Sequence, residues 1–317
     1  MNIVIVGQGA MGLLWYHHIQ QLVTNNDNEI QLHLLPSKSL ASSQSQQQYA
    51  QYTFTDRNNR QYQSKINYAK PQNIQAADIV MLCLKSYKVA TALNEIAAHL
   101  NTKRNNNALI VLAHNGMGTL TELPQSIINK HNIYALLTTH GCLRTAPLTI
   151  THTGAGTTDI GLLSGISDLT EQQALSQLLN IALPTVTYHQ KIKQKQWLKL
   201  AVNCVINPLT AINNIDNGQV NNVEYAATTV FLLKEIVAVA NAEAVNLEQV
   251  DLEKKVQEVS EATAKNCSSM RCDVLAGRKT EIDYINGYIH RLGIKHGIAT
   301  PENTKLWQAV KKLEVNS

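Results

Sequence analysis

Lys199, Asn203 and Asn207 are the side chains whose types and spacing best suit chemistry on a polar ligand. They are four residues apart within residues 197–211, a run with the periodicity of a helix. At roughly 100° per residue they fall within ~80° of arc, one on each turn. An ammonium can donate a proton to a reacting oxygen, and amides can hydrogen-bond a ligand. We call these three residues the polar stripe.

The other positions of this predicted helix are mostly apolar, whereas a surface helix has a broad polar face. An ammonium or amide that is buried without a partner costs several kcal/mol, so the polar stripe needs either solvent or a ligand. On pattern alone, the solvated edge of a core helix is the favoured interpretation. Pro208 lacks a backbone N–H and disfavours helical geometry at Asn207, so we predict a kink or a break beside Asn207.

A glycine-rich stretch near residue 7 points to nucleotide binding. It reads GQGAMG over residues 7–12 and lies between a predicted strand at 2–6 and a predicted helix at 13–23. In this context Gly7 allows a tight turn, Gly9 lets the backbone approach a pyrophosphate, and Gly12 lets helix and strand pack closely. The helix N-terminus favours the anion. A plain glycine turn is the less favoured alternative.

Strands alternate with helices through the first half of the chain. A second strand completes a βαβ unit, for which parallel pairing and a right-handed crossover are expected. The further segments indicate a doubly wound α/β sheet with its ligand at the carboxyl ends of the strands. The predicted strands after the first lie at residues 30–35, 78–84, 109–114 and 133–138, with a helix at 89–100.

Two regions of this half are less regular. Residues 39–51 are rich in Gln and Ser, and little apolar periodicity is present up to residue 65, so we predict a surface insertion. Alternating residues at 148–153 and 157–162, separated by a Gly-Ala-Gly linker, predict a hairpin or paired strands that close the sheet.

Helical spacing dominates from residue 171 onward, apart from a short stretch at 185–189. We therefore expect two domains, at residues 1–189 and 190–317. The second contains another set of polar residues with helical spacing, Asn266, Ser269 and Asp273, in a helix predicted to begin near residue 253. Glu281 follows shortly after. From spacing alone, capping or surface positions are the favoured interpretation of these residues.

Composition restricts the class of protein. The 317 residues are 44% hydrophobic and 16% charged, which is typical of a folded globular enzyme. The net charge of +4 is spread along the chain, so we expect no nucleic-acid partner. Five cysteines without a C-x-x-C pair indicate reduced thiols in the cytoplasm. We expect neither a signal peptide nor a membrane span, and the histidine spacing fits no metal site.

The end of the second strand bears on the cofactor. An NAD site usually has an acidic residue there, but residues 35–39 read LPSKS. The hydroxyls and ammonium of Ser37, Lys38 and Ser39 suit a 2′-phosphate better, which favours NADP, although an ordinary polar turn is the alternative. Lys85 and Asn115 also follow predicted strands, where they could contact a ligand or belong to ordinary turns.

These motifs occur together in one known family. GQGAMG, CLKSY, HNGMGT, KLAVNCVINPLTA, NCSSM and TEIDYING, in this order, closely resemble the bacterial ketopantoate reductases, over residues 2 to about 311. The resemblance implies an N-terminal Rossmann-type dinucleotide-binding domain and an all-helical C-terminal domain of the 6-phosphogluconate dehydrogenase type, with the site between them. It further implies NADPH-dependent reduction of 2-dehydropantoate to (R)-pantoate, in the pathway to pantothenate and coenzyme A.

The resemblance also assigns residues to roles. Lys199 matches the family's proton donor, and Glu281 matches a residue that contacts cofactor and holds the substrate hydroxyl. The matching substrate-binding positions are Asn115, Lys199, Asn203, Asn207, Asn217 and Ser269. The matching cofactor positions are Gly7, Gln8, Gly9, Ala10, Met11, Gly12, Lys85, Asn115, Cys142 (through its backbone) and Glu281.

One position departs from the family. The arginine that commonly meets the 2′-phosphate aligns with Leu35, so either Ser37, Lys38 or Ser39 replaces it or the preference for NADP is weaker. Two alternatives to the implied activity remain. One is a reductase of another 2-keto or imino acid on the same scaffold. The other is a non-catalytic dinucleotide-sensing regulator, against which the presence of Lys199 and Glu281 argues.

Overall fold

A computed structural model describes residues 1–25, 30–36, 49–100 and 108–315. The chain divides into two compact units. The first comprises Met1–His114 and Thr121–Ile192, and the second comprises Asn115–Leu120 and Lys193–Ser317. The short segment Asn115–Leu120 thus belongs with the helices of the second unit, which sequence order did not predict.

The first unit, here called the α/β unit, contains two sheets. Its strands are β1 (Asn2–Val6), β2 (Gln31–Leu35), β3 (Tyr49–Thr55), β4 (Gln61–Asn67), β5 (Ile79–Leu82), β6 (Leu109–Leu112), β7 (Ile133–Thr138), β8 (Gly141–Ala146), β9 (Thr149–Gly154), β10 (Thr158–Ser164) and β11 (Val186–Tyr188). Its helices are α1 (Ala10–Asn25), α2 (Pro71–Gln75), α3 (Ser86–Ala97), α4 (Gln125–Ile128) and α5 (Leu169–Ala182).

The large sheet has the strand order β11-β10-β7-β6-β5-β1-β2. The pairs from β2 to β7 are parallel, and β10 is antiparallel to β7. Continuous apolar runs such as Ile79–Leu82 are buried on both faces, as expected for parallel strands. The predicted α/β class and the parallel pairing of β1 with β2 are confirmed.

The small sheet has the order β4-β3-β9-β8 and was not predicted. The segment ending near residue 65, interpreted from sequence as a surface insertion, instead contains the antiparallel pair β3 and β4. Tyr52 and Phe54 of β3 are buried, with the polar Thr53 between them. Because only two aromatic positions carry the alternation, the strand signal was weak. Residues 39–48 of that predicted insertion lie outside the described residues.

The predicted pairing of residues 148–153 with 157–162 is wrong. β9 pairs with β8 and β3 in the small sheet, whereas β10 pairs with β7 and β11 in the large one. The linker between them crosses close to other backbone, since a Cβ on Gly156 would lie 2.4 Å from the His140 nitrogen. Glycine therefore permits a crossing between sheets here, not a hairpin turn.

The second unit, here called the helical unit, is built from six α-helices within the described residues. They are α6 (Ile192–Asn213), α7 (Val223–Ala242), α8 (Gln249–Ala262), α9 (Ser269–Leu275), α10 (Asn286–His296) and α11 (Pro301–Val315). Its core includes Trp197 and Leu200 of α6, packed with side chains from α7, α10 and α11. The helix predicted from near residue 253 is two helices, α8 and α9. Asn266 lies in the connection between them, so its predicted helical register with Ser269 and Asp273 is wrong.

Of the kink or break predicted beside Asn207, the break is wrong, because α6 continues through Pro208 to Asn213, whereas the kink stays a prediction. Proline at 208 cannot donate a hydrogen bond to the Cys204 carbonyl. In its place, Nδ2 of the buried Asn286 donates to this carbonyl over 2.9 Å. A side chain from α10 thus satisfies the group that proline leaves unpaired, and the helix continues. Among the described residues, no helix is long and apolar enough to cross a membrane.

Candidate active site

The polar stripe lies on α6 as the sequence predicts. Lys199 and Asn203 are half-buried, and Asn207 is only 7% exposed. Neither side-chain amide, of Asn203 or of Asn207, has a hydrogen-bond partner among the described residues. Since burying an unpaired amide costs about 1–3 kcal/mol, two such groups on one helix are well suited to receive a polar ligand.

The start of α9 is attached to α6 one turn beyond Asn207. Thr210 Oγ1 lies 2.7 Å from Ser268 Oγ, and Ser268 caps α9 by accepting a hydrogen bond from the Arg271 nitrogen over 3.1 Å. Ser269, the predicted substrate contact, is the first residue of α9 and is exposed. Ser268 therefore holds the position from which Ser269 presents its hydroxyl.

Asn115 and Glu281 meet inside the helical unit. Asn115 Nδ2 donates to Glu281 Oε2 over 3.2 Å, and the Glu281 side chain is 4% exposed. The loop carrying Asn115 is fixed by a 2.8 Å hydrogen bond from the Met117 nitrogen to the Tyr284 carbonyl. Gly116, at φ +79°, is required there because a Cβ would lie 2.3 Å from that same oxygen. This contact joins two residues 166 positions apart in the chain.

Asn217 begins a short 3-10 helix, Asn217–Asn221, and is buried. Its Nδ2 donates to Thr263 Oγ1 over 3.0 Å, and its backbone nitrogen donates to the Asn266 carbonyl over 3.1 Å. Its Oδ1 is buried with no hydrogen-bond partner within the described part of the chain. The side-chain nitrogen of Asn217 therefore has a partner in the protein, whereas its side-chain oxygen is an acceptor that a ligand could use.

The glycine turn of the α/β unit shows which of its glycines the fold requires. A Cβ on Gly7, at φ +110°, would lie 2.6 Å from the Cys83 carbonyl oxygen, and one on Gly12 would lie 1.9 Å from the Gly7 oxygen. A Cβ on Gly9 would meet nothing within 4 Å. Packing within the protein therefore explains glycine at 7 and 12, whereas at Gly9 it leaves open space at the start of α1. That space suits a ligand that approaches the backbone closely.

The other predicted cofactor contacts of this unit flank the same turn or follow β5. Gln8, Ala10 and Met11 are half-buried. Cys142 Sγ donates to the Ala10 carbonyl over 3.5 Å, and burial raises the pKa of this thiol to about 12. Cys142 is therefore a neutral group that holds β8 against the start of α1. Lys85 occupies the N-cap position of α3, three residues after β5 ends, and is half-buried; within the described ranges its side chain makes no capping hydrogen bond.

The residues expected to meet a 2′-phosphate, Ser37, Lys38 and Ser39, lie outside the described residues. Leu35, aligned with the family's arginine, ends β2 as a buried core residue whose carbonyl accepts from the Gly7 nitrogen over 2.8 Å. Across the described ranges, no cluster of three or more His, Cys, Asp or Glu side chains could hold a metal ion.

The structure thus collects the predicted residues in two groups. The helical unit contains Asn115, Lys199, Asn203, Asn207, Asn217, Ser269 and Glu281; the α/β unit contains the glycine turn, Lys85 and Cys142. Sequence reasoning missed Ser268 and Asn286, which position α9 and α6. The Ser268 signal was available, since serine before a helical run is a common N-cap. Asn286 had no local signal, because its role depends on a carbonyl 82 positions away.

Comparison with known proteins agrees with these features. Residues 3–165 match the family model described as ketopantoate reductase PanE/ApbA, and residues 191–314 match the model of that family's C-terminal part. The chain therefore belongs to the ketopantoate reductase PanE/ApbA family.

Relatives and solved structures cover nearly the whole chain. A 2-dehydropantoate 2-reductase of Vibrio cholerae is 36% identical over 314 residues, covering 99% of this chain and 98% of the relative. A PanE/ApbA family ketopantoate reductase from Ralstonia eutropha JMP134 has a TM-score of 0.80 at 24% identity, covering 100% of this chain and 99% of that one. D-mandelate dehydrogenase, solved with NADH and anilino(oxo)acetate, has a TM-score of 0.85 at 21% identity, with the same coverage.

Proposed function

We propose that this protein reduces the ketone of 2-dehydropantoate to give (R)-pantoate, with NADPH as the hydride donor, in the cytoplasmic pathway to pantothenate and coenzyme A. The observation that carries the proposal is the polar stripe. Two side-chain amides without hydrogen-bond partners among the described residues, together with a half-buried lysine, lie along one side of α6. The chain that carries them is 36% identical to a 2-dehydropantoate 2-reductase.

Lys199 supplies the proton. Negative charge develops on the ketone oxygen when hydride reaches the adjacent carbon, and an ammonium on a rigid helix can stabilise and protonate that oxygen. The amides of Asn203 and Asn207, one and two turns further along α6, are neutral donors. They can orient the carboxylate or hydroxyl of the substrate without competing for the proton.

Asn115, Asn217, Ser269 and Glu281 complete the substrate contacts in this proposal. Glu281 is positioned by the Asn115 amide, and its carboxylate is the acceptor that we assign to the substrate hydroxyl. Asn217 keeps one acceptor free for a donor on the ligand. Ser269 adds an exposed hydroxyl at the start of α9.

A nicotinamide dinucleotide supplies the hydride. The glycine turn fits it, because the open space at Gly9 lies at the N-terminus of α1, where backbone N–H groups favour a pyrophosphate. In our proposal residues 1–189 hold the cofactor, with Lys85 and Cys142 beside the turn, and residues 190–317 hold most of the substrate contacts. In this proposal Ser37, Lys38 or Ser39 takes the role of the arginine toward the 2′-phosphate; if none of them does, the preference for NADP is weaker.

A second candidate is a reductase of a different 2-oxo acid. The similarity in fold to D-mandelate dehydrogenase, with a TM-score of 0.85, is the observation in its favour. A panel of 2-dehydropantoate, benzoylformate and pyruvate, each assayed with NADPH, separates the two. Our proposal predicts the highest kcat/KM for 2-dehydropantoate, and a higher value for either of the other acids would favour the second candidate.

The Lys199→Ala variant tests the role of the proton donor. If general-acid and electrostatic contributions are both lost, kcat for 2-dehydropantoate should fall by about two to four orders of magnitude. Thermal unfolding of the variant is the control, because a half-buried lysine on α6 contributes little to the apolar core. A folded Lys199→Ala protein that turns over at the parental rate would refute the assignment.

A further inference from the structure

Two cysteines near the start of α9 lie unusually close together. Cys267 precedes the capping Ser268, and Cys272 lies within α9. Their sulfur atoms are 2.6 Å apart, and both cysteines are free thiols. A disulfide bond is about 2.0 Å long, so the two sulfurs need to approach by only about half an ångström to be at bonding distance.

The backbone holds both residues in this arrangement. The Asn266 nitrogen donates to the Thr263 carbonyl over 2.8 Å, and the Cys272 nitrogen donates to the Ser268 carbonyl over 2.9 Å. Arg271, between the two cysteines, is fixed by Asp216 at 2.5 Å and by Asn214 at 2.8 Å. The loop and the first turn of α9 therefore keep the sulfurs together without a covalent bond.

Both thiols are also within reach of a small oxidant. Cys267 is exposed and Cys272 is half-buried, whereas Cys83 and Cys204 are buried. Partial burial and the neighbouring Cys272 thiol raise the pKa of Cys267 to about 12. Because the thiolate is the attacking form, oxidation is expected to be slow near neutral pH and to accelerate as the pH rises.

We propose that Cys267 and Cys272 are a modification site, at which a disulfide oxidant such as glutathione disulfide converts the dithiol to an intramolecular disulfide. One cysteine thiolate attacks a sulfur of glutathione disulfide, forming a mixed disulfide and releasing a first glutathione thiolate. The second cysteine thiolate then attacks the protein sulfur of the mixed disulfide and releases a second glutathione. The two cysteine protons pass to the two glutathione thiolates, so the protein is oxidised as glutathione disulfide is reduced.

The position of the disulfide gives the modification a consequence. The loop that the disulfide closes contains Ser268 and Ser269, and Ser268 accepts a hydrogen bond from Thr210 of α6. Formation of the disulfide closes this loop and shifts the hydroxyl of Ser269. Ser269 is a substrate contact in the proposed function, and this consequence rests on that proposal. The loss of one hydrogen bond of about 1 kcal/mol corresponds to a KM for 2-dehydropantoate about fivefold higher, with the KM for NADPH unchanged.

The test is intact mass and alkylation after incubation of the full-length protein with glutathione disulfide at pH 9, where the raised pKa of Cys267 slows the reaction less than at neutral pH. We expect the parental protein to lose the mass of a pair of hydrogens and, once unfolded, to leave three of its five cysteines open to alkylation. A peptide map should join Cys267 to Cys272. The Cys267→Ser and Cys272→Ser variants should instead retain one bound glutathione on the remaining cysteine.

Three outcomes would overturn the proposal. If the parental protein stays fully reduced, the cysteine pair is not a modification site. If it accumulates only the mixed disulfide with glutathione, the intramolecular disulfide does not form. A linked protein whose KM for 2-dehydropantoate equals that of the reduced protein excludes the coupling to Ser269. The mass measurement needs no turnover, so it stands or fails separately from the proposed enzyme activity.

Discussion

The two units bury polar side chains in different chemical forms. The α/β unit has a histidine layer, which we define as His17, His18, His140 and His152, in and beside α1 and the small sheet. His17 stacks on Phe54 at 3.8 Å between ring centroids, and His140 Nδ1 lies 3.2 Å from His152 Nε2. Burial lowers the pKa of His17, His18 and His140 to about 4. The layer is therefore neutral near physiological pH.

The helical unit has an asparagine network, defined as Asn286, Asn303 and Glu235. Asn286 Nδ2 donates to the Cys204 carbonyl and lies 3.0 Å from Asn303 Oδ1. Asn303 Nδ2 donates to Glu235 Oε2 over 2.8 Å. Both Nδ2 groups of this network have partners, although Asn286 Oδ1 has none among the described residues. The side-chain amides of Asn203 and Asn207 in the same unit have no partner at either atom within that part of the chain.

This comparison distinguishes three roles of a buried polar side chain. A buried imidazole makes the free energy of unfolding depend on pH, because it takes up a proton more readily in the unfolded state than in the folded one. An engaged amide does not titrate and contributes only to structure. An amide without a partner lowers stability and is retained where a ligand supplies the missing bond. Within the helical unit, mutation of an amide with partners should therefore change stability, and mutation of an amide without partners should change activity.

The largest expected effect is the loss of stability of the α/β unit at acidic pH. The folded pKa of about 4 lies below the ordinary 6.5, so the contribution of each histidine is fully present above about pH 6.5 and is lost as the pH falls toward 4. Near pH 4.5 the loss should be on the order of 2 kcal/mol for a single histidine of the layer. It should be less than three times that for His17, His18 and His140 together, because these histidines repel one another when charged. Hydrogen exchange at pH 7 and near pH 4.5, extrapolated to a common intrinsic rate, should show loss of protection in α1 before α10.

The His18→Gln variant is the matched control, because glutamine cannot take up the proton. Between the two pH values its free energy of unfolding should fall by less than that of the parent, with a difference on the order of 2 kcal/mol. Equal pH dependence in both proteins, or earlier loss of protection in α10, would show that the histidine layer does not govern acid stability.

Removing an engaged amide should give the next largest effect. Asn286→Ala leaves the Cys204 carbonyl and the Asn303 amide without this partner inside the core, which should cost about 2–3 kcal/mol in urea unfolding. In a Pro208→Ala background, the new N–H at 208 can bond the Cys204 carbonyl. The cost of Asn286→Ala should then be smaller by about 1 kcal/mol.

This double-mutant cycle tests why α6 continues through Pro208. Additive free energies for the two substitutions would mean that Asn286 does not stabilise the helix through the Cys204 carbonyl. In either case kcat of the folded Asn286→Ala protein should stay within a few-fold of the parental value, because the network touches no proposed substrate contact.

Removing an amide without a partner should have the smallest energetic effect, seen in activity and not in stability. Asn207→Ala should raise the KM for 2-dehydropantoate about fivefold to thirtyfold, corresponding to about 1–2 kcal/mol, with unfolding unchanged or slightly improved. Asn213→Ala, at the exposed end of the same helix, is the control for an amide that has a partner, since Asn213 Nδ2 donates to the Leu209 carbonyl over 2.9 Å. It should lower the free energy of unfolding slightly and leave the KM unchanged. A destabilised Asn207→Ala protein with the parental KM would place Asn207 with the structural amides.

Much of the fold could be predicted from the sequence, because its signals are local. The apolar strands, the glycine turn and the helix carrying Lys199 each depend on neighbours within a few residues. The small sheet was missed because β3 carries only the buried pair Tyr52 and Phe54. The continuous helix at Pro208 was missed because its hydrogen-bond donor, Asn286, comes from a distant helix.

The candidate site was predicted in composition more than in geometry. The residues of the polar stripe follow from helical spacing, and the motifs around Asn115 and Glu281 follow from the family resemblance. The contact between those two side chains depends on a tertiary loop, fixed by Gly116 and the Tyr284 carbonyl. No spacing rule connects positions so far apart in the sequence.

The most direct test of the central claim is the initial rate of NADPH and of NADH oxidation by the purified protein with 2-dehydropantoate. We predict turnover with NADPH and a kcat/KM at least about tenfold lower with NADH, because a 2′-phosphate contact worth about 1.4 kcal/mol is lost. Equal use of NADH would contradict the role given to Ser37, Lys38 and Ser39. Oxidation of neither cofactor in the presence of 2-dehydropantoate would contradict the proposed function itself.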